Sequence, residues 1–157
     1  MDDRALIQQQ LSASRGILQR CVADVSDDEA RRIPDPALAP IVWQVGQLAS
    51  ADAFIMQRAG VAPAPPVPAT YAELFKTGTG GMADYPPLDA VAQVFEGTQD
   101  ALLRAIAEAD LAVPDEGPLG LWTNAAGLFA FANTHRWYHI GKINSLRGLL
   151  GKPRPLG

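Results

Sequence analysis

The sequence predicts an all-α fold, arranged as one bundle of four helices, and three observations predict it. Four segments repeat apolar residues at three- and four-residue spacing, the mark of a helix with one buried stripe. No segment sustains the period-two alternation, rich in β-branched residues, of a half-buried strand. Serine, threonine, proline and glycine stand at the ends of the periodic segments, where helices start and stop. At 157 residues the chain suits a single domain with a substantial core, and no internal repeat or separable second domain is visible.

The first helix is predicted from about Asp3 to Asp24, with Ile7, Leu11, Ser14, Leu18, Cys21 and Val25 on one stripe that Ser14 interrupts. "SDDE" then places Ser26 three residues before Glu29, the reciprocal capping pattern, so a short helical turn should open there and stop before Pro34 and Pro36. The second helix begins near Pro40 and ends at Gly60, with Trp43, Gln47 and Phe54 in its seam. A connector of proline-rich and then glycine-rich sequence follows, Val61 to Pro87, within which Thr70 and Glu73 repeat the capping pattern ahead of a brief helix at "YAELF". It is long enough to return along the bundle, so the second and third helices can run parallel. Its "GTGG" lacks the lysine and hydroxyl of a phosphate loop and reads as flexible backbone. The third helix, about Leu88 to Ala109, lines up Leu88, Val91, Phe95, Thr98, Leu102 and Ile106, with Glu96, Asp100 and Glu108 in solvent. Beyond Pro114 and Pro118, Thr123 is placed to cap a fourth helix whose stripe is Leu128, Phe131, His135, His139 or Tyr138, Lys142, Leu146 and Leu149, closing at Gly151 and Pro153.

Composition excludes several classes. Hydrophobic residues at 48% and charged residues at 19% are ordinary globular values, against disorder, and no apolar run approaches the roughly 18 residues of a membrane span. The opening "MDDRALIQQQ" lacks the basic region of an export signal, which predicts a cytoplasmic protein. Net charge is −4, and apart from "RGLLGKPR" the basic residues are scattered, so no stripe for nucleic acid exists. Cys21 is the sole cysteine, which rules out an intrachain disulfide or a thiolate cluster and suggests a small buried hydrophobe.

The chemistry concentrates in "THRWYHIGKINSLRGLLGKP", Thr134 to Pro153, which holds both histidines of the chain. Residues four apart on a helix lie about 40° apart around the axis and about 6 Å along it, so His135 and His139 can aim ring nitrogens at one point. Two readings stand: ligands of one metal ion, or core histidines hydrogen-bonded to carbonyls or to Thr98, Ser14 or Gln47. A catalytic zinc usually takes three protein ligands, and the second helix offers two further donors. Asp52 is a good ligand but sits roughly 140° round the helix from Gln47, whereas Gln47 shares the face of Trp43 and carries only a weakly basic amide oxygen.

Two stretches, "WQVGQL" from Trp43 to Leu48 and "HRWYHIGKINSLRGLLGKP" from His135 to Pro153, give a sequence that resembles the DinB/YfiT-like superfamily of small four-helix-bundle metalloenzymes. The resemblance extends over nearly the whole chain, and the helix-four segment is its specific part. It implies an up-down-down-up bundle, often a homodimer, with a long crossover between helices two and three. It further implies a divalent metal, zinc or nickel, held by one helix-two and two helix-four histidines. His135 and His139 match the helix-four ligands, and Gln47 stands where the helix-two histidine would be, a departure that weakens metal affinity. Lys142 stands where the family often has glutamine. Relatives include S-transferases using low-molecular-weight thiols such as bacillithiol or mycothiol, and a maleylpyruvate isomerase.

The expected function is therefore a metal-dependent transferase or hydrolase acting on a small-molecule substrate. The competing expectation is a catalytically degenerate dimeric bundle, a binding or stress-associated module. Tyr138 and Lys142 are the neighbouring candidates for a general base, and Trp137, about 200° from His135, suits a subunit interface or the core. The connector from Val61 to Pro87 could wall the mouth of the site.

Overall fold

The computed structural model describes residues 2–61, 67–81 and 84–157. The remainder of the connector expected to wall the site, 62–66 and 82–83, lies outside the described residues. Among the described residues the protein is all-helical: α1 (Asp3–Val22), α2 (Asp27–Arg31), α3 (Ile41–Arg58), α4 (Tyr71–Leu74), α5 (Leu88–Glu108) and α6 (Ala125–Leu149), with a short 3-10 turn at Pro118–Gly120. Helix α3 packs against α5 and α6, and α1 packs against the same two.

The ends of the helices have local causes. Asp2 caps α1 by accepting from the Ala5 N–H at 2.8 Å. At α2 the Ser26 hydroxyl accepts from the Glu29 N–H while the Glu29 carboxylate accepts from the Ser26 N–H, the expected capping box. Beyond α3, Gly60 takes φ +69°, a left-handed conformation that a Cβ would oppose. Two expected caps fail. Thr70 precedes α4 but has φ −68° and ψ −20°, already helical, so its hydroxyl is not placed to accept from the first turn. At α6 the cap is Asn124, not Thr123: the extended backbone of Asn124 lets its side chain accept from the Gly127 N–H at 2.9 Å.

The stripes of α1 and α5 bury as expected, Ile7, Leu11, Ser14, Leu18 and Cys21 on one, Leu88, Val91, Phe95, Thr98, Leu102 and Ile106 on the other. Glu96 and Asp100 are not simply solvated, because both pair with Arg15, whose guanidinium donates to them at 2.6 and 2.8 Å. On α3 the buried surface reaches well beyond the expected seam, since its neighbours cover it on several sides: Asp52 is fully buried and Phe54, expected inside, is 56% exposed. On α6 the buried stripe is Leu128, Ala132, Arg136, His139, Ile140, Ile143 and Leu146, so Tyr138 and Leu149 are exposed and Lys142 is half-buried.

Two apolar clusters fill the interior. One gathers Leu18, Trp43, Phe75, Phe95 and Ile140, the other Leu11, Ile55, Leu102, Trp122 and Phe129. Between them in each long helix's sequence lies a polar residue: Ser14 in α1, Asp52 in α3, Thr98 and Gln99 in α5, Arg136 in α6. These residues bond to one another. Arg136 donates to the Leu11 carbonyl at 2.8 Å, to Ser14 Oγ at 3.3 Å, to Asp52 Oδ2 at 3.2 Å and to the Gln99 side-chain oxygen, while the Gln99 amide donates to Asp52. Both ends of the ion pair are fully buried. Burial drives the Asp52 carboxyl up and the Arg136 guanidinium down, each opposed by the other's charge.

The crossover is fastened to α3. A Cβ added to Gly46 would lie 2.3 Å from the ring of Phe75, so the glycine makes the seat for that ring, which also stacks on Tyr85 at 5.5 Å. The Trp43 indole N–H donates to Thr79 Oγ1 at 3.2 Å, giving the glycine-rich stretch a second anchor.

Urea denaturation reads how much stability these buried contacts supply. Asp52→Ala should cost about 3–5 kcal/mol by stranding a buried guanidinium, whereas the paired change Asp52→Leu with Arg136→Met should recover most of that loss. Gly46→Ala should cost about 1–3 kcal/mol through overpacking against Phe75.

Candidate functional site

His135 and His139 lie on one side of α6, and the ring nitrogens converge: His139 Nε2 is 3.0 Å from His135 Nε2, with the rings edge to face at 80°. The four-residue spacing thus brings the two rings into contact. His139 is 3% exposed and lies within the buried stripe, whereas His135 is at its margin. Aromatic rings enclose them. Phe131 stacks on His135 at 5.9 Å, and Trp43 and Tyr138 flank His139 at 6.1 and 5.3 Å.

This enclosure sets the protonation states. Burial lowers His135 to about 4, assisted by the positive charges of Arg136 and Lys142. Burial lowers His139 to about 3, with His135 and Lys142 adding to it. Both imidazoles are thus free bases at neutral pH, the form that binds metals.

Helix α3 supplies a partner that periodicity does not indicate. Gln44, fully buried in α3, places its Oε1 at 2.6 Å from His139 Nδ1. Among the described residues neither Thr98 nor Ser14 serves a histidine: the Thr98 hydroxyl donates to the Phe95 carbonyl, and that of Ser14 to the Leu11 carbonyl. The sole hint of Gln44 in the sequence is an amide inside the apolar opening "IVWQV" of α3. Its contact joins residues 95 positions apart, which no local pattern reports.

Gln47 occupies a different setting. Its Oε1 is buried and has no hydrogen-bond partner, and the residue lines an open groove of about 720 Å³ with Ser50, Phe54, Ala72, Phe75 and Thr77. Connector residues between Val67 and Thr77 wall this groove against the face of α3 that carries Gln47, and neither histidine lines it. Asp52 is engaged by Arg136 and Gln99. Tyr138 and Lys142 pair with each other, the ammonium 4.2 Å from the ring centre. Trp137 is 39% exposed.

A family model for the DinB superfamily matches residues 10–143. The chain belongs to the DinB superfamily. No curated protein matches it. The matched region runs from α1 into α6 and takes in the histidine pair, Gln44 and Gln47.

Among the described residues of this DinB-superfamily protein, no group of three histidine, cysteine, aspartate or glutamate side chains comes together as a metal site. The donors present fit a divalent ion in part. Nitrogens bound tetrahedrally at about 2.0–2.1 Å stand roughly 3.3 Å apart, close to the separation of the two Nε2 atoms. The orphaned Gln47 oxygen is a buried neutral acceptor on α3, and among the described residues no hydrogen bond ties it to either histidine.

The lowered histidine values have a consequence for metal-free protein. Between the unfolded value near 6.5 and the folded values of about 4 and 3, the unfolded chain binds more protons than the folded one. Stability should therefore fall as pH drops through that window. Urea midpoints in the presence of a chelator should decline from pH 7 to pH 4.5, and the decline should be shallower in His135→Gln/His139→Gln. An equal decline in both proteins would assign it to the carboxylates.

Proposed function

We propose that this protein is a divalent-metal-dependent small-molecule enzyme of the DinB/YfiT type, a thiol S-transferase or a hydrolase, with His135 and His139 holding zinc or nickel. The observation that carries this reading is the convergence of two neutral Nε2 atoms inside an aromatic enclosure. Gln47 is the third and weaker donor, a carboxamide where a stronger ligand would hold the ion more firmly. A metal bound there supplies a lowered pKa to a coordinated water or low-molecular-weight thiol. The chain's own residues do the rest. Phe131, Trp43 and Tyr138 limit water around the imidazoles, and the groove beside Gln47 offers space for a small organic substrate. The reading includes an up-down-down-up bundle, a homodimer and a cytoplasmic location.

One observation favours a second reading. Each histidine finds a partner in the other or in Gln44 without any ion. A bundle that has lost its helix-two ligand and serves as a binding or stress-associated module would look the same.

Calorimetric titration with zinc and nickel separates the two. The enzyme reading expects micromolar or tighter binding that disappears in His135→Ala/His139→Ala; binding no tighter than millimolar in the unaltered protein selects the degenerate module. Gln47→His should tighten zinc binding by at least tenfold, since an imidazole is the better donor for this ion. Unchanged affinity would remove Gln47 from the ligand set.

A further inference from the structure

The amide of Gln44 is held at both ends. Its Nε2 donates to the Ala39 carbonyl at 2.9 Å, and its Oε1 is 2.6 Å from His139 Nδ1. A backbone carbonyl only accepts, so the NH2 end of the amide must face Ala39 and the oxygen must face the histidine. A carboxamide oxygen also only accepts, so the proton between the two residues belongs to His139 Nδ1. With the ring neutral, His139 Nε2 then carries a bare lone pair.

The 3.0 Å contact between the two Nε2 atoms needs one donor, and His139 has none left on that side. His135 must donate from Nε2, which leaves its Nδ1 unprotonated, and that atom is buried without a partner. The two histidines are therefore opposite tautomers.

We propose that Gln44 is a positioning residue that fixes His139 as the Nδ1–H tautomer, so that His139 presents a ready lone pair while His135 must exchange its tautomer before its Nε2 can bind an ion. In that exchange a proton leaves His135 Nε2 and one is taken up at Nδ1 from solvent, with no net change in charge. The metal half of this inference rests on the function proposed above; the tautomer half does not.

Long-range proton–nitrogen correlation NMR of the metal-free full chain, labelled at histidine nitrogen, reads both tautomers near neutral pH. The expected spectrum shows His139 protonated at Nδ1 and bare at Nε2, with His135 the reverse. A His139 protonated at Nε2 overturns the proposal without recourse to any variant. Gln44→Leu, which cannot accept, should shift His139 towards Nε2–H. Gln44→Glu should preserve the original pattern, because its carboxylate oxygen still accepts from the Nδ1–H of the ring. A leucine variant that folds and keeps the original tautomers also overturns it. Zinc titration adds a separate readout: Gln44→Leu should weaken binding about 10- to 100-fold and Gln44→Glu should not. Equal zinc affinity in the leucine variant overturns the metal half. If the tautomers are as stated and the unaltered protein takes up no zinc, the enzyme reading fails and the role of Gln44 in orienting His139 stands.

Discussion

The ion pair between Arg136 and Asp52 is the constraint on which the rest of the structure depends. A guanidinium with no exposed surface can exist only where acceptors surround it, and the acceptors come from three other helices: the Leu11 carbonyl and Ser14 of α1, Asp52 of α3 and Gln99 of α5. Sliding any one helix by a turn would strand a charge or an amide in the interior. The apolar clusters on either side supply most of the burial energy but tolerate exchange among similar shapes, whereas the polar layer between them accepts one alignment.

That alignment also settles where the histidines lie. Arg136 follows His135 directly and His139 comes one turn later, so fixing the guanidinium in the core fixes the rotation of α6 and leaves the imidazoles beside α3. Helix α3 then meets them with Trp43 and Gln44, two residues of its opening turn. The site is thus assembled from two helices whose register the buried charge has already set.

The pattern of apolar residues made α1 and α5 legible because each buries a single stripe. It misled on α3, which is covered on several sides, and so placed Phe54 inside. On α6 the buried stripe contains Arg136, which breaks the apolar spacing, so apolar residues alone point to a phase that takes in Tyr138 and Leu149 and leaves out Ala132, Ile140 and Ile143. A trace of the layer was present in the sequence: Ser14 and Thr98 interrupt otherwise apolar stripes at the depth where Asp52 and Arg136 meet. The histidine pair was visible because its spacing is local. Its link to Gln44 was not, because only the tertiary fold brings 44 and 139 together.

The seat of Phe75 on Gly46 divides the link between α3 and α5 into two spans. Chain-closure entropy rises only with the logarithm of loop length, so each span can gain or lose residues at a cost of a few tenths of a kcal/mol. Related chains could therefore vary the two halves independently, remodelling the rim of the groove while the aromatic anchor keeps the start of α5 in place.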